Sequence, residues 1–214
     1  MKKKAFLFLF ILTILLIGCN NRNAFGCYTT LESASKNANR KDQEILVLVS
    51  NDDNISISNF LQYFYPNFTI VQISEANKGN ILLSNLNISS LPKLSLYTKE
   101  GYFAFDFTVE EKLINEELMN QYIKKQDALN QLKALIKRTE KGSNLQRIQA
   151  IEELYSKMEP EYRFSLKKLI EKVPSLDRKN ESALVKKYVI ENANLTAQNY
   201  LLSKESKKAA NVYE

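Results

Sequence analysis

The 214-residue sequence contains no histidine and no tryptophan, and only five glycines and two cysteines. Histidine is the commonest general base near neutral pH, so its absence excludes Ser-His-Asp and Cys-His catalytic arrangements. Two cysteines cannot complete a usual structural zinc site. The few glycines form neither a GxGxxG nor a GxxxxGK[ST] phosphate-binding loop. We therefore predict no catalytic residues, no metal and no cofactor, and an enzyme becomes the less favoured class of function.

The formal net charge of +6 does not indicate a nucleic-acid-binding protein. Lys2, Lys3 and Lys4 account for three of the 30 basic residues, which leaves 27 against 24 acidic residues. Lysine and glutamate alternate along the predicted helices, which is typical of solvated surface, whereas a nucleic-acid-binding face has clustered basic residues. We expect no nucleic-acid partner.

The N-terminal segment has the organisation of an export signal. The three lysines precede an apolar run over residues 5–17 that only Thr13 interrupts. This run is shorter than the roughly 20 residues that a membrane-spanning helix needs, and it suits the apolar region of a signal peptide. An uncleaved membrane anchor is the alternative interpretation.

The apolar run ends at Leu16, Ile17 and Gly18, directly before Cys19. This order resembles the lipobox of bacterial lipoproteins. The resemblance implies that residues 1–18 are a signal peptide, that Cys19 is acylated, and that residues 19–28 form a lipidated tether. The chain would then be exported and anchored to the cell membrane through lipid, and the short tether favours a periplasm-facing position over cell-surface display.

Cys27 is the remaining cysteine once Cys19 carries lipid. An odd cysteine in an exported chain indicates an intermolecular bridge, an unbridged reactive thiol, or a small buried apolar residue. The sequence leaves these three interpretations open.

Residues 29–124 alternate between helix and strand patterns. A capping box with Thr29 at the N-cap and Glu32 three residues later predicts a helix to about Asn39. Residues 44–50 and 68–73 are apolar runs that predict buried strands, and a helical pattern that ends at Pro66 separates them. Residues 93–97 and 102–107 predict a β-hairpin, and a second capping box at Thr108 predicts a long helix.

This order of elements resembles the thioredoxin-like fold. The most specific part is the segment of residues 89–97 with its following Glu100 and Gly101, which resembles the cis-proline segment of that family. The resemblance implies a cis bond between Leu91 and Pro92. It also implies that the loop after the first central strand lies beside Pro92, at the carboxyl edge of the strands.

The CxxC redox motif of the family is absent from that loop. The degenerate redox-loop positions are Asn51, Asp52, Asp53 and Asn54. Without an attacking and a resolving thiol, dithiol exchange cannot occur there. The two aspartates could form an acidic site, but capping of the following helix is favoured.

Residues 125–214 carry helical patterns and no strand pattern. The segment from Ala197 to Tyr213 weakly resembles one tetratricopeptide-type helix pair, and an ordinary helical appendage is the alternative. We expect this last pair to leave a shallow apolar strip uncovered, flanked by Lys207 and Lys208, because no further helix follows it in the given sequence. The strip would be covered by another protein, or by a continuation of this chain if the sequence is a fragment. The predicted partner contacts are Tyr200, Leu201, Ala210 and Tyr213.

The predicted fold class is an α/β thioredoxin-like domain over residues 29–124, followed by an all-α extension over residues 125–214. The favoured function is a membrane-anchored lipoprotein whose redox-inactive domain binds a protein in the cell envelope. One alternative is a thiol-dependent oxidoreductase or isomerase that uses Cys27. The other is a surface lipoprotein that binds external ligands.

Overall fold

A computed structural model describes residues 27–50, 55–74, 91–109 and 114–213. The strands are β1 (Ile45–Ser50), β2 (Thr69–Ser74), β3 (Lys93–Tyr97) and β4 (Phe103–Asp106). The helices are α1 (Leu31–Lys41), α2 (Ile55–Phe64), α3 (Asn115–Lys124), α4 (Gln126–Glu140), α5 (Asn144–Lys157), α6 (Lys167–Ile170), α7 (Val173–Leu176), α8 (Val185–Leu202) and α9 (Ser206–Ala210), with a 3-10 helix at Pro160–Leu166.

The four strands form one mixed sheet in the order β2-β1-β3-β4. β1 pairs in parallel with β2, with Ile45 opposite Thr69, and antiparallel with β3, with Val49 opposite Lys93. β3 and β4 form the expected antiparallel hairpin. β1 is central and every one of its residues is buried, as its continuous apolar run predicts.

Successive residues of β1 point to opposite faces of the sheet, and each face has its own core. Val47 and Val49 pack in a cluster with residues of α1, α4, α5 and the 3-10 helix, among them Tyr162. Leu46 and Leu48 pack in a second cluster with Phe60 of α2 and with residues of α3 and α4. The helices after residue 124 therefore share the core of the sheet instead of forming a separate core.

Two predicted helix starts are wrong. α1 is capped by Thr30, whose hydroxyl accepts a hydrogen bond from the Ser33 backbone N–H at 3.3 Å. α3 begins at Asn115, and its N-cap, Ile114, makes no side-chain capping bond. Thr108 instead exchanges two backbone hydrogen bonds of 2.8 Å with the Gln121 side-chain amide. A tertiary contact thus uses the backbone groups that a capping residue would need.

In the helical part, too, some helices begin and end at other residues than the sequence predicted. Residues 160–176, within the part predicted to be helical, contain a 3-10 helix followed by the short α6 and α7. The predicted final pair within residues 197–213 is in fact α8 and α9, because α8 is continuous through Ala197 and ends at Leu202. The coarse prediction of a mixed α/β fold with a helical part is confirmed. Among the described residues, none of the helices has the length and apolarity needed to cross a membrane.

Candidate functional site

A shallow groove lies between α8 and α9, the last two helices. The packing of α8 determines its position, because Tyr188 and Leu195 turn toward the core and the opposite side of the helix faces away from it. α9 packs back against the C-terminal half of α8. The groove is lined by Asn194, Ala197, Gln198, Leu201, Ser206, Ala209, Ala210 and Tyr213. We call this surface the C-terminal groove.

Small side chains form the floor of the C-terminal groove, and large apolar side chains form its rim. Ala197 and Ala209 are buried, which lets the two helices approach closely. Leu201 is 57% exposed and Tyr213 is 63% exposed. The Tyr213 hydroxyl donates a hydrogen bond of 2.9 Å to Asn194 Oδ1, which holds the aromatic ring at the rim. Large apolar side chains are therefore presented to solvent in a fixed arrangement.

Three of the predicted contact residues meet in this groove, namely Leu201, Ala210 and Tyr213. Tyr200 is half-buried on α8 with the Lys208 ammonium 5.7 Å from its ring centre, outside the groove lining. The sequence prediction did not include the polar lining residues Asn194, Gln198 and Ser206. A helical wheel would have placed Asn194 and Gln198 beside Leu201, since residues three and four apart share a helix face.

The segment around Pro92 holds a polar cluster that sequence reasoning missed. The Leu91–Pro92 bond is cis, which is the isomer that the family resemblance implied. Asp106 accepts a hydrogen bond of 2.5 Å from Ser95 Oγ and one from the Tyr162 hydroxyl. The Lys93 ammonium lies 3.3 Å from the same carboxylate. No local pattern marks Asp106, because its partners come from a neighbouring strand and from the 3-10 helix.

The electrostatics of this cluster favour a structural role. Burial, together with the hydrogen bond to Asp106, raises the pKa of the Tyr162 phenol far above its ordinary value of 10. Burial also raises the pKa of Tyr97, whose hydroxyl is buried without a hydrogen-bond partner among the described residues. Both phenols therefore stay protonated at physiological pH, and Tyr162 acts as a permanent donor to Asp106.

Cys27 is completely buried in the core cluster that contains Leu46, Leu48 and Phe60. The next residue, Tyr28, runs beside β2, where its N–H donates to the Ile70 carbonyl at 2.9 Å. Reactive cysteines occupy partly exposed, electropositive surroundings. The surroundings of Cys27 instead suit a small apolar core residue.

The remaining predicted site residues are Cys19, Asn51, Asp52, Asp53 and Asn54, and they lie outside the described residues. Within the described ranges, no group of three or more cysteine, aspartate or glutamate side chains could hold a metal ion. No protein-family model matches the chain, and neither the curated proteins nor the solved structures contain a match.

Proposed function

We propose that this chain is a bacterial lipoprotein, anchored to the cell membrane through acylated Cys19, that binds a helical segment of another protein. The observation that carries the binding role is the C-terminal groove, where Leu201 and Tyr213 stay largely exposed above a floor of alanines. Large contiguous apolar patches on folded domains mark contact sites, and helices of partner proteins commonly dock in apolar grooves.

The sheet-containing half fits a thioredoxin-like domain without redox activity. Its support is the order strand, helix, strand and hairpin, with a parallel β1–β2 pair and an antiparallel β3–β4 hairpin in one sheet. The loop at Asn51, Asp52, Asp53 and Asn54 contains no cysteine. In this proposal the domain positions the helical part near the membrane and performs no dithiol chemistry.

Photocrosslinking in intact cells tests the binding role. A photoreactive amino acid replaces Leu201 in the full chain, and the crosslinked protein is identified and then purified for a direct binding measurement. The double variant Leu201→Glu, Ala210→Glu should lose binding, because two carboxylates in an apolar contact cost several kcal/mol, about 2 or more for each.

The matched control is the double variant Leu145→Glu, Ala128→Glu. Leu145 is 45% exposed on α5 and Ala128 is exposed on α4, so the same changes are made away from the groove. Binding by the control together with loss in the groove variant supports the proposal. Equal binding by both variants contradicts it, and unfolding of the groove variant alone would show that Leu201 and Ala210 are core residues.

The lipid anchor has its own test. Cys19→Ser should abolish labelling by radioactive palmitate and move the chain from the membrane fraction to the soluble fraction, since a single apolar run of 13 residues does not span a bilayer. Retention of Cys19→Ser in the membrane would indicate an uncleaved anchor instead. Protease treatment of intact cells distinguishes the periplasm-facing position from surface display.

A further inference from the structure

A second cavity lies where α4 turns into α5, and it shares no lining residue with the C-terminal groove. Its volume is about 560 Å³, and small-molecule sites commonly have volumes of roughly 300–1,000 Å³. Three of its lining side chains are cationic, and none of the described ones is acidic or a large apolar group. The lining consists of Lys137, Arg138, Lys141, Gly142, Gln146 and Gln149. We call this cavity the basic pocket.

Contacts between the two helices and the turn that joins them hold the walls of the basic pocket in place. Arg138 of α4 pairs with Glu153 of α5 at 3.0 Å. Arg147 Nε donates a hydrogen bond of 3.0 Å to the Thr139 carbonyl, across the turn. Gly142 has a φ of +99°, a conformation that glycine adopts without strain. The lining residues are therefore carried by a fixed helical hairpin.

The start of α5 supplies neutral hydrogen-bond donors to the basic pocket. Gln146 Oε1 accepts a hydrogen bond of 2.9 Å from the Ser143 backbone N–H, as part of the capping box. The oxygen of this amide is thus engaged, and its NH₂ group is the part left to donate. Gln149 follows three residues later on the same face of α5. Two amide groups therefore lie beside three cations in one lining.

The positive charge of the basic pocket is only partly compensated within the described ranges. Lys137 and Lys141 are exposed and lie four residues apart, so their ammonium groups repel each other. Neither of them forms an ion pair with another described residue, whereas Arg138 does. Glu153, the partner of Arg138, also pairs with Lys157 at 2.7 Å. A negatively charged ligand would relieve the repulsion between the two unpaired lysines.

A purely structural role explains only part of this cluster. Lys137 and Arg138 lie in the last turn of α4, where cations interact favourably with the helix dipole. Glu140 is next to Lys141 in the sequence, but it does not line the cavity. The dipole does not account for a cavity between two helices, nor for the amide groups that α5 adds to it.

We propose that the basic pocket binds a phosphate group, carried by a soluble phosphorylated small molecule or by an anionic lipid headgroup. A phosphomonoester carries about −1.5 to −2 charges at pH 7. That charge matches the two unpaired lysines better than the single charge of a carboxylate does. Arginine and lysine are the usual phosphate ligands in proteins, and amide N–H groups can donate to the remaining oxygens. This site goes beyond the proposed protein-binding function and does not depend on it.

Protection of the pocket lysines from acetylation measures whether the basic pocket is occupied. The full chain in neutral detergent micelles is treated briefly with acetic anhydride, and mass spectrometry gives the rate of acetylation at each lysine. If the Kd is about 1 mM, glycerol 3-phosphate at about 10 mM should slow acetylation of Lys137 and Lys141 about tenfold. Glycerol should have no effect, and about 0.5 M NaCl should weaken the protection. Lys124 and Lys179, which are exposed elsewhere, serve as internal controls.

Lipid nanodiscs distinguish the two sources of the phosphate group. Slower acetylation of the pocket lysines in phosphatidylglycerol nanodiscs than in phosphatidylcholine nanodiscs, without any soluble phosphate, would assign a lipid headgroup. Equal rates in the two kinds of nanodisc, together with protection by glycerol 3-phosphate, would assign a soluble ligand. Either result supports a phosphate site.

A substitution that adds a carboxylate tests the pocket without removing a lysine. Gln149→Glu places a negative charge in the lining and should abolish the protection, because like charges repel. Gln149 is exposed, so circular dichroism should show an unchanged fold. The matched control is Gln131→Glu, the same change at an exposed position of α4 outside the lining, and it should keep the protection.

The proposal is overturned if neither glycerol 3-phosphate nor phosphatidylglycerol protects Lys137 and Lys141, or if protection is equal in Gln149→Glu and Gln131→Glu. Should Gln149→Glu unfold, calorimetry with glycerol 3-phosphate on the double variant Lys137→Gln, Lys141→Gln decides instead. Its binding should be at least about tenfold weaker than that of Lys124→Gln, Lys179→Gln, and equal binding overturns the proposal. None of these results affects a partner crosslinked at position 201, so failure of this site and failure of the proposed function are distinguishable.

Discussion

The Tyr162 hydroxyl donates a hydrogen bond to the carboxylate of Asp106, although the two residues lie 56 positions apart in the sequence. Tyr162 belongs to the 3-10 helix and Asp106 ends β4, so the bond joins the helical part to the sheet. Phe103 of β4 also stacks on the Tyr162 ring, with ring centres 3.4 Å apart and planes 4° apart. The two halves of the chain are therefore packed as one unit around Tyr162.

Substitution of Tyr162 should destabilise sheet and helices together. Tyr162→Phe keeps the stacked ring and removes the hydrogen bond to a charged acceptor, which should lower the free energy of unfolding by about 1.5–3 kcal/mol. Tyr162→Ala also leaves a cavity and should cost about 3–5 kcal/mol. Urea unfolding followed by circular dichroism and by tyrosine fluorescence measures both. Tyr200→Phe is the control, because it removes the hydroxyl of a half-buried ring and should change the free energy of unfolding little. Two separate transitions would show that the halves unfold independently.

Glu44 should make stability depend on pH. Burial raises the pKa of its carboxyl above the ordinary 4.5, despite the opposing ion pair with Lys133. The folded chain then binds more protons than the unfolded chain above pH 4.5, so this residue lowers stability as pH rises through the raised pKa. Glu44→Gln removes that loss. The free energy of unfolding of Glu44→Gln, measured relative to the wild type at each pH, should therefore increase between about pH 4 and about pH 7.

Glu152 serves as a control, because its pKa shift is opposite in sign to that of Glu44. Burial raises the pKa of this carboxyl, but hydrogen bonds from Lys187 and Tyr188 outweigh burial and lower the pKa below 4.5 overall. Its stabilisation is present above the ordinary pKa and is lost as pH falls through the lowered one. Glu152→Gln should therefore lose stability relative to wild type at neutral pH and recover toward it in acid. If the stability of both variants relative to the wild type changed with pH in the same direction, this account would be refuted.

Gly142 should be less tolerant of alanine than Gly101. Both glycines have left-handed backbones, with φ of +99° and +93°. A Cβ at Gly142 would lie 2.7 Å from Gln146 Oε1, whereas a Cβ at Gly101 meets its nearest atom at 3.7 Å. Gln146 forms a capping box with Ser143 at the start of α5. Gly142→Ala should thus cost about 1 kcal/mol more than Gly101→Ala in thermal unfolding, since it strains that cap as well. If both substitutions destabilised the chain equally, the Gln146 side chain would move away from the new Cβ without weakening the cap of α5.

The thiol of Cys27 should be protected in the folded chain. In the Cys19→Ser variant Cys27 is the single cysteine, and its side chain is completely buried. Iodoacetamide should modify the folded chain at least about 100-fold more slowly than the urea-unfolded chain, because the reagent reaches the thiol only after local opening. Rapid modification without urea would instead support the alternative in which Cys27 is a reactive catalytic thiol.

Local patterns predicted much of the secondary structure. The apolar run over residues 44–50 predicted a buried strand, and β1 is Ile45–Ser50. The hairpin of β3 and β4 was predicted from two strand patterns around Gly101, whose φ is +93°. The N-terminal order from Lys2 to Cys19 predicts an export signal and lipid anchor on the same local basis. Each of these signals depends on neighbouring residues alone, which is why the amino-acid sequence by itself predicted the strand and the hairpin that the structure contains, and why it alone carries the proposed export signal.

Only the tertiary structure decided which side chains meet across long separations. The bond between Asp106 and Tyr162, the burial of Cys27, and the tie between Thr108 and Gln121 all depend on how separate elements pack. The same holds for the C-terminal groove. Periodicity along residues 185–202 shows that α8 has apolar positions, but only the packing of Tyr188 on the core decides that Leu201 stays open to solvent. Burial is a property of the folded assembly, because the free energy of covering a face depends on which neighbours the chain brings to it.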